Sequence, residues 1–167
     1  MPKNGIKHLV LLVALYVPLC AQAQHEDPLV GTWVMDIANS EWDPAFPVLY
    51  REFTVNITTN DVGYRLESDV VFADGRQVHS SNLWRYDGGE TPWRSTSGSG
   101  VTAQFQRLNT STYQFVLRTN GIIRLISRGT VASDGRSRRH VVIGFNADGL
   151  PFRNIEVYRK KSNTPPP

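Results

Sequence analysis

The chain has 167 residues, a formal net charge of +3 and a single cysteine, Cys20. A chain of this length can fold as one domain around a core that is stable without cross-links. One cysteine excludes an internal disulfide framework and a metal site built from several thiolates.

The first 23 residues have the pattern of a secretory signal peptide. Lys3 and Lys7 give a positive start, residues 9–19 form an apolar stretch, and Ala21-Gln22-Ala23 is a small-x-small cleavage site. An apolar stretch of 11 residues is short for a membrane span. We therefore predict a mature protein that starts at Gln24, is secreted or periplasmic, and has no membrane span after cleavage.

Two alternatives remain for this N-terminus, an uncleaved anchor and a lipidated Cys20. A lipoprotein signal has a small residue before its cysteine, whereas Leu19 stands there in this chain. Cleavage after Ala23 leaves the mature protein without any cysteine.

The charges are distributed unevenly along the mature chain. Residues 24–100 carry a net charge of −7, and residues 101–167 carry a net charge of +8. One barrel whose halves lie side by side neutralises this difference, and two domains of opposite sign are the alternative. A basic half can bind nucleic acid or anionic lipid. Lysine clusters and Gly-aromatic motifs are missing, however, so we predict no nucleic-acid partner.

Turn dipeptides divide the chain into segments rich in β-branched and aromatic residues. The dipeptides are Asp74-Gly75, Asp87-Gly88, Asn120-Gly121, Asp134-Gly135 and Asp148-Gly149. The segments between them predict strands near 31–37, 50–58, 62–72, 77–86, 101–108, 112–119, 121–132, 138–146 and 152–160, with a short tenth strand near 92–96.

This pattern predicts an all-β protein with a single antiparallel up-and-down β-barrel of eight to ten strands. Arms of about ten residues between turns suit a barrel better than a sandwich. The barrel domain spans residues 24–161, and residues 39–47 form a loop over one end. Residues 95–100 form a Ser/Gly loop, a helical turn is expected at 28–30, and residues 162–167 are predicted to be a disordered tail.

Alternation along the strands predicts which side chains face inward. The apolar inward set is Tyr64, Leu66, Val70, Phe72, Val78, Trp84, Tyr86, Tyr113, Phe115, Leu117, Ile123, Leu125, Val131, Val141, Ile143 and Phe145. Small or polar residues share these faces at Ser68, Ser80, Asn82, Ser127 and Gly129. They predict either room and hydrogen bonds for a ligand or hydrogen bonds to one another and to buried water.

The chain resembles bacterial secreted lipocalin-like (calycin-type) proteins of unassigned function. The resemblance rests on Gly31-Thr32-Trp33 and the residues that follow to Asn39-Ser40, and on the segments 86–89 with Pro92, 106–109, 133–136, 146–151 and 157–160. It implies a lipocalin/calycin-like barrel and no particular activity. It also implies that Trp33 plugs the closed end of the barrel and that Arg159 packs across its ring.

Candidate chemistry is sparse. His79 and His140 fall on the faces opposite the apolar sets of their strands, so we predict exposed histidines; haem ligation by one of them is the alternative. No spacing of His, Cys, Asp and Glu indicates a metal site, and Glu67 and Asp69 are expected on a solvated outer face. We predict no catalytic residues and no cofactor, and the chain is more consistent with a binding protein than with an enzyme.

The predicted ligand site is the barrel interior. Its cavity candidates are Trp33, Ser68, Ser80, Asn82, Trp84, Phe115 and Ser127, and its rim candidates are Trp42 and Trp93, which lie in loops beside prolines. A small hydrophobic ligand is the predicted partner. An enzyme that acts on an apolar substrate, and a structural envelope protein with a filled barrel, are the alternatives.

Overall fold

The computed structural model describes residues 27–46, 50–96 and 98–162. The predicted signal peptide, and all of the predicted tail except Ser162, lie outside them. The described chain contains a 3-10 helix at Ile37–Asn39 and eleven strands: β1 (Gly31–Met35), β2 (Tyr50–Asn60), β3 (Gly63–Phe72), β4 (Gln77–Arg85), β5 (Thr91–Pro92), β6 (Arg94–Ser95), β7 (Val101–Arg107), β8 (Thr112–Thr119), β9 (Ile122–Val131), β10 (Ser137–Phe145) and β11 (Pro151–Lys160). No helix among these residues is long and apolar enough to cross a bilayer.

All strands belong to one antiparallel sheet that curls into a nearly closed barrel. Consecutive long strands pair with each other, and β1 joins the two ends of the chain by pairing with both β2 and β11. The gap between β4 and β7 is bridged by residues 91–95, which pair with β7 through β5 and with β4 through β6. The predicted all-β fold class, a single antiparallel up-and-down barrel, is confirmed, with eleven strands among the described residues where eight to ten were predicted.

Tight turns connect the long strands where the dipeptides predicted them. Asn120 and Gly121 both have positive φ angles, 51° and 79°, as the two-residue hairpin between β8 and β9 requires. The adjoining ladder contains a bulge after Leu117, where Arg118 pairs with Ile123 and leaves Arg124 without an opposite residue. A bulge of one residue reverses the faces beyond it.

The closed end of the barrel is filled by aromatic and aliphatic side chains. Trp33 and Leu29 are fully buried there, and the Trp33 indole Nε1 donates a 2.9 Å hydrogen bond to the Leu29 carbonyl. Asp27 accepts hydrogen bonds from Tyr64 and Arg107 at the same end. Because this turn ties residues 27–30 to the barrel, the chain enters β1 with Trp33 already directed into the core.

The loop between β1 and β2 runs along β11 towards the open end. Glu41 forms a backbone bridge with Ile155, and the Asn154 amide oxygen accepts a hydrogen bond from the Asp43 backbone. The Phe46 ring stacks on Phe152 with centroids 4.4 Å apart. These contacts fix the described part of the loop at the mouth of the barrel.

The predicted inward faces are correct for most strands and wrong for β10. Arg138, His140 and Val142 are the buried residues of that strand, whereas Ile143 and Phe145 are 46% and 54% exposed and Val141 points outward with them. The lumen side of β10 is polar, so a prediction based on hydrophobicity alone chooses the wrong face of this strand.

Two further inward assignments are wrong. Ile123 is exposed because the bulge before Leu125 reverses its face. Tyr86 is exposed because it lies beyond the end of β4, where the chain turns away from the lumen.

Candidate ligand-binding cavity

The barrel encloses a cavity of about 190 Å³. One buried water needs roughly 10–15 Å³ of such space, so the cavity is far larger than a water site. Its wall is made by inward side chains of seven long strands and one bridging residue: Tyr50, Phe53, Val55, Leu66, Ser68, Ser80, Asn82, Trp84, Trp93, Phe115, Leu117, Leu125, Arg138, His140, Val142, Glu156 and Tyr158. Most of this wall is aliphatic or aromatic.

The structure places most of the sequence-predicted residues around this cavity. The members of the wall are Ser68, Ser80, Asn82, Trp84 and Phe115, and the rim candidate Trp93. Trp33 and Ser127 are fully buried but lie outside the wall. The other rim candidate, Trp42, packs edge-on against Tyr50 at the margin of the core.

The small polar residues of β3 and β4 border the cavity and form hydrogen bonds within the barrel. The Ser68 and Ser80 hydroxyls are 2.7 Å apart and hydrogen-bond to each other. The Asn82 amide donates to the Pro92 carbonyl and to the Thr91 hydroxyl, which holds the bridging residues against β4. These contacts explain why the two serines are tolerated inside the barrel, since each hydroxyl finds a partner. The Asn82 amide oxygen is buried and has no hydrogen-bond partner among the described residues.

His140 is buried and not exposed, which corrects the prediction from its strand pattern. Its Nε2 lies 2.6 Å from the Tyr113 hydroxyl, and its Nδ1 lies 3.1 Å from the Ser127 hydroxyl. Burial, followed by the positive charge of Arg138, lowers the pKa of His140 well below its ordinary value. The imidazole is therefore neutral, with one ring nitrogen donating and the other accepting.

The neutral His140 makes stability depend on pH. The unfolded chain binds a proton at this histidine below about pH 6.5 and the folded chain does not, so stability falls as pH falls through that value. Between pH 7 and 5.5 we expect the parent protein to lose about 1 kcal/mol more of its unfolding free energy than His140→Gln. Urea unfolding at the two pH values measures this difference. Equal pH dependence of the parent and His140→Gln would contradict the assignment.

Arg138, and not Arg159, packs across Trp33. The Arg138 guanidinium lies 4.8 Å from the Trp33 ring centroid and 4.5 Å from that of Tyr158, between the two rings. Arg159 is directed outward and pairs with Asp36, while its neighbour Lys160 places its ammonium 5.4 Å from the Trp33 ring. A buried cation–π contact of this kind contributes about 0.5–2 kcal/mol. Arg138 therefore links the plug of the barrel to the floor of the cavity.

Glu156 places a carboxyl group in the cavity wall. One of its oxygens accepts a 2.9 Å hydrogen bond from the Tyr158 hydroxyl. Removal from bulk water raises the pKa of Glu156, and the Tyr158 hydrogen bond and the charge of Arg138 oppose that rise. The cavity wall thus carries polar groups on β10 and β11 and, across the lumen, on β3 and β4.

Gly129 on β9 is required by the ring that crosses it. A Cβ atom at this position would lie 2.3 Å from Cζ of Tyr113, which is itself fully buried and hydrogen-bonded to His140. We expect Gly129→Ala to cost about 1–3 kcal/mol in thermal or urea unfolding, because the phenol must move within a packed core. Gly98→Ala, where a Cβ meets nothing within 4 Å, is the matched control. A Gly129→Ala variant as stable as that control would contradict the packing described here.

Neither histidine fits the alternative of haem ligation. Both ring nitrogens of His140 are occupied by hydroxyl partners. His79 is exposed on the outer wall, where its Nδ1 lies 2.8 Å from Asp69. In the described part of the chain, no three His, Cys, Asp or Glu side chains are grouped closely enough to hold a metal ion.

Sequence reasoning missed the polar residues of the cavity on β10 and β11. These are Arg138, His140, Glu156 and Tyr158. The alternation of strand residues could have found them. On β11, Phe152 and Tyr158 mark the inner face, which also carries residues 154 and 156. On β10, the residues of the inner face are 138, 140 and 142. The cross-strand pairing of Arg138 with Tyr158 and of His140 with Glu156 brings them together.

Comparison with known proteins adds a likeness in shape only. No family model matches the chain, and no curated protein matches it. Among solved structures, it is similar to zebrafish ileal bile acid-binding protein complexed with cholic acid, with 8% sequence identity and a TM-score of 0.49 over 80% of this chain and 99% of that chain. The function proposed below therefore rests on the cavity itself.

Proposed function

We propose that this protein binds a small hydrophobic molecule inside its barrel and performs no catalysis. The observation that carries the proposal is the cavity of about 190 Å³, with a wall that is mostly aliphatic and aromatic. A predominantly apolar cavity with a few fixed polar groups is the usual form of a small-molecule site. Ser68, Ser80 and Asn82 leave space where larger side chains would fill a solid core.

The polar groups of the cavity wall restrict the orientation of the ligand. Glu156 and Tyr158 lie on β11, while Phe53, Leu66 and Trp84 line strands on the other side of the lumen. A ligand with an apolar body and one hydrogen-bonding group would place that group near Glu156 or near the Asn82 amide oxygen and the Trp84 indole N–H, which are buried without partners among the described residues. An unpartnered polar group against the apolar part of the wall costs free energy.

The proposal is tested by native mass spectrometry of protein purified from its own source. We expect a complex heavier than the chain by one small molecule that organic solvent extracts. The emptied protein should then bind the neutral fluorescent probe N-phenyl-1-naphthylamine with a saturable increase in emission. Protein that carries no small molecule and gives no saturable signal would favour the filled structural barrel.

We also propose that the protein works outside the cytoplasm. The support is the sequence Ala21-Gln22-Ala23 after a short apolar stretch. N-terminal sequencing of the mature protein should find Gln24 as the first residue. Lipidated Cys20 or an intact Met1 would contradict cleavage at this site.

A further inference from the structure

The outer wall formed by β9, β10 and β11 carries large apolar side chains at the open end of the barrel. Ile122 and Ile123 begin β9, and Phe145 and Leu150 flank the turn between β10 and β11. These four side chains and Ile143 are between 46% and 60% exposed. Single exposed apolar residues are ordinary, whereas a cluster at one end of a molecule marks an interaction surface.

The cluster borders a groove that lies beside the barrel mouth. Ile123, Ile126, Ile143, Phe145 and Pro151 line it. Leu125 lines both this groove and the cavity, so one side chain separates the two.

Exposed arginines lie directly behind the apolar cluster. Arg124, Arg128, Arg139 and Arg153 are on the outer faces of the same three strands, and none of the four forms an ion pair with the described residues. On the opposite wall, Arg65, Arg76 and Arg85 are each paired with an acid. Ion pairs therefore leave these four arginines uncompensated, whereas they neutralise Arg65, Arg76 and Arg85.

The acids near this wall offset only part of its charge. Asp43 borders the groove, but its carboxylate accepts hydrogen bonds from the backbone of Ala45 and Arg153. Asp148 is exposed in the turn between β10 and β11, and Glu41 is exposed where its backbone bridges to Ile155 of β11. These two acids offset two of the four arginines. The wall remains cationic behind an apolar tip.

We propose that this wall, defined by Ile122, Ile123, Phe145 and Leu150 with Arg124, Arg128, Arg139 and Arg153, docks the open end of the barrel on an anionic lipid surface. Along β10 from the open end the outward residues are Phe145, Ile143, Val141 and Arg139. This order matches a lipid interface, where apolar side chains enter the boundary between headgroups and acyl chains and cations meet the phosphates.

A nucleic-acid partner would contact the arginines but not the apolar side chains, so it would explain only the charged half of this surface. Docking in this orientation brings the mouth of the cavity to the bilayer. If the barrel binds an apolar ligand as proposed above, the ligand can then pass between bilayer and cavity without crossing bulk water. The docking itself does not depend on that function.

The test is co-sedimentation of the mature chain with lipid vesicles. We expect binding to vesicles of phosphatidylcholine mixed with phosphatidylglycerol, weak binding to phosphatidylcholine alone, and release by salt. The variant Arg124→Gln/Arg128→Gln/Arg153→Gln should bind the anionic vesicles at least about tenfold more weakly. Phe145→Ser/Leu150→Ser should also weaken binding, while both variants should keep the circular dichroism spectrum and the urea midpoint of the parent, which show that the barrel is folded.

The matched control is Arg65→Gln/Arg76→Gln/Arg85→Gln, which removes the same charge from the opposite wall. It should bind vesicles like the parent. Equal weakening by the two triple variants would overturn the proposal, and so would an absence of vesicle binding by the parent. A parent dimer that Phe145→Ser/Leu150→Ser converts to a monomer would also overturn it, because the wall would then join two copies of the chain.

Discussion

Replacing Trp33 with alanine is expected to destabilise the barrel by about 3–5 kcal/mol. The ring is fully buried, its Nε1 donates to the Leu29 carbonyl, and the Arg138 guanidinium packs against its face. The substitution removes the ring, leaves a buried carbonyl without its donor, and removes one of the two rings that hold a buried cation. Urea unfolding of the purified variant measures the loss.

Trp93→Ala is the control for this substitution, because Trp93 is only partly buried and lies at the rim of the cavity. Its midpoint in urea should shift far less than that of Trp33→Ala. Small and equal shifts for the two variants would show that Trp33 does not close the barrel.

Replacing Leu117 with tryptophan is expected to block the cavity. Leu117 lines the cavity from β8, and a larger ring there occupies space that a bound molecule needs. We expect the affinity for N-phenyl-1-naphthylamine to fall at least about tenfold, a loss of roughly 1.4 kcal/mol. Stability should be kept, since an open lumen accepts extra atoms that a filled core would not.

Val116→Trp is the matched control, because Val116 is the next residue on the same strand and faces the outer wall. It adds the same ring without entering the lumen and should bind the fluorescent probe like the parent. Unchanged binding by Leu117→Trp would mean that the probe does not need the cavity. Unfolding of that variant, together with no probe binding by the parent, would mean that the barrel is packed solid.

The strands and turns were predictable because their signals are local. Asn120-Gly121 specifies a hairpin through the φ angles that its two residues accept, and no distant contact is needed to place it. The same holds for the alternation in β3, where Tyr64, Leu66 and Val70 are buried as their spacing predicts. Local rules suffice where the lumen is apolar and the outside is polar.

The inner face of β10 was not predictable from that strand alone. Its lumen side carries Arg138 and His140, and its outer side carries Ile143 and Phe145, so apolar residues mark the wrong face. What decides the orientation is pairing with β11, which sets Tyr158 beside Arg138. The orientation of β10 is therefore set by contacts between strands. The same contacts determine that Arg138, and not Arg159, is the cation that packs over Trp33.

The cavity was predictable only in part. Sequence alternation shows which side chains face inward, but it does not show which of them reach the surface of the cavity. Ser127 faces inward as expected but is covered by His140, whose ring nitrogen lies 3.1 Å from its hydroxyl. Ser68 and Ser80 share the inward face and do border the cavity. Whether an inward serine borders the cavity depends on the large side chains that pack over it. The sequence of a single strand does not contain that information.

The proposed binding function is tested most directly by locating a bound apolar molecule with NMR. With methyl-labelled protein and N-phenyl-1-naphthylamine, we expect intermolecular nuclear Overhauser effects to methyl groups that line the cavity, those of Leu66, Leu117 and Val142. Outward methyl groups of Val116 and Ile143, each next in sequence to one of these, should show none. Effects confined to Ile122, Ile123 and Ile143 on the outer wall would contradict binding inside the barrel.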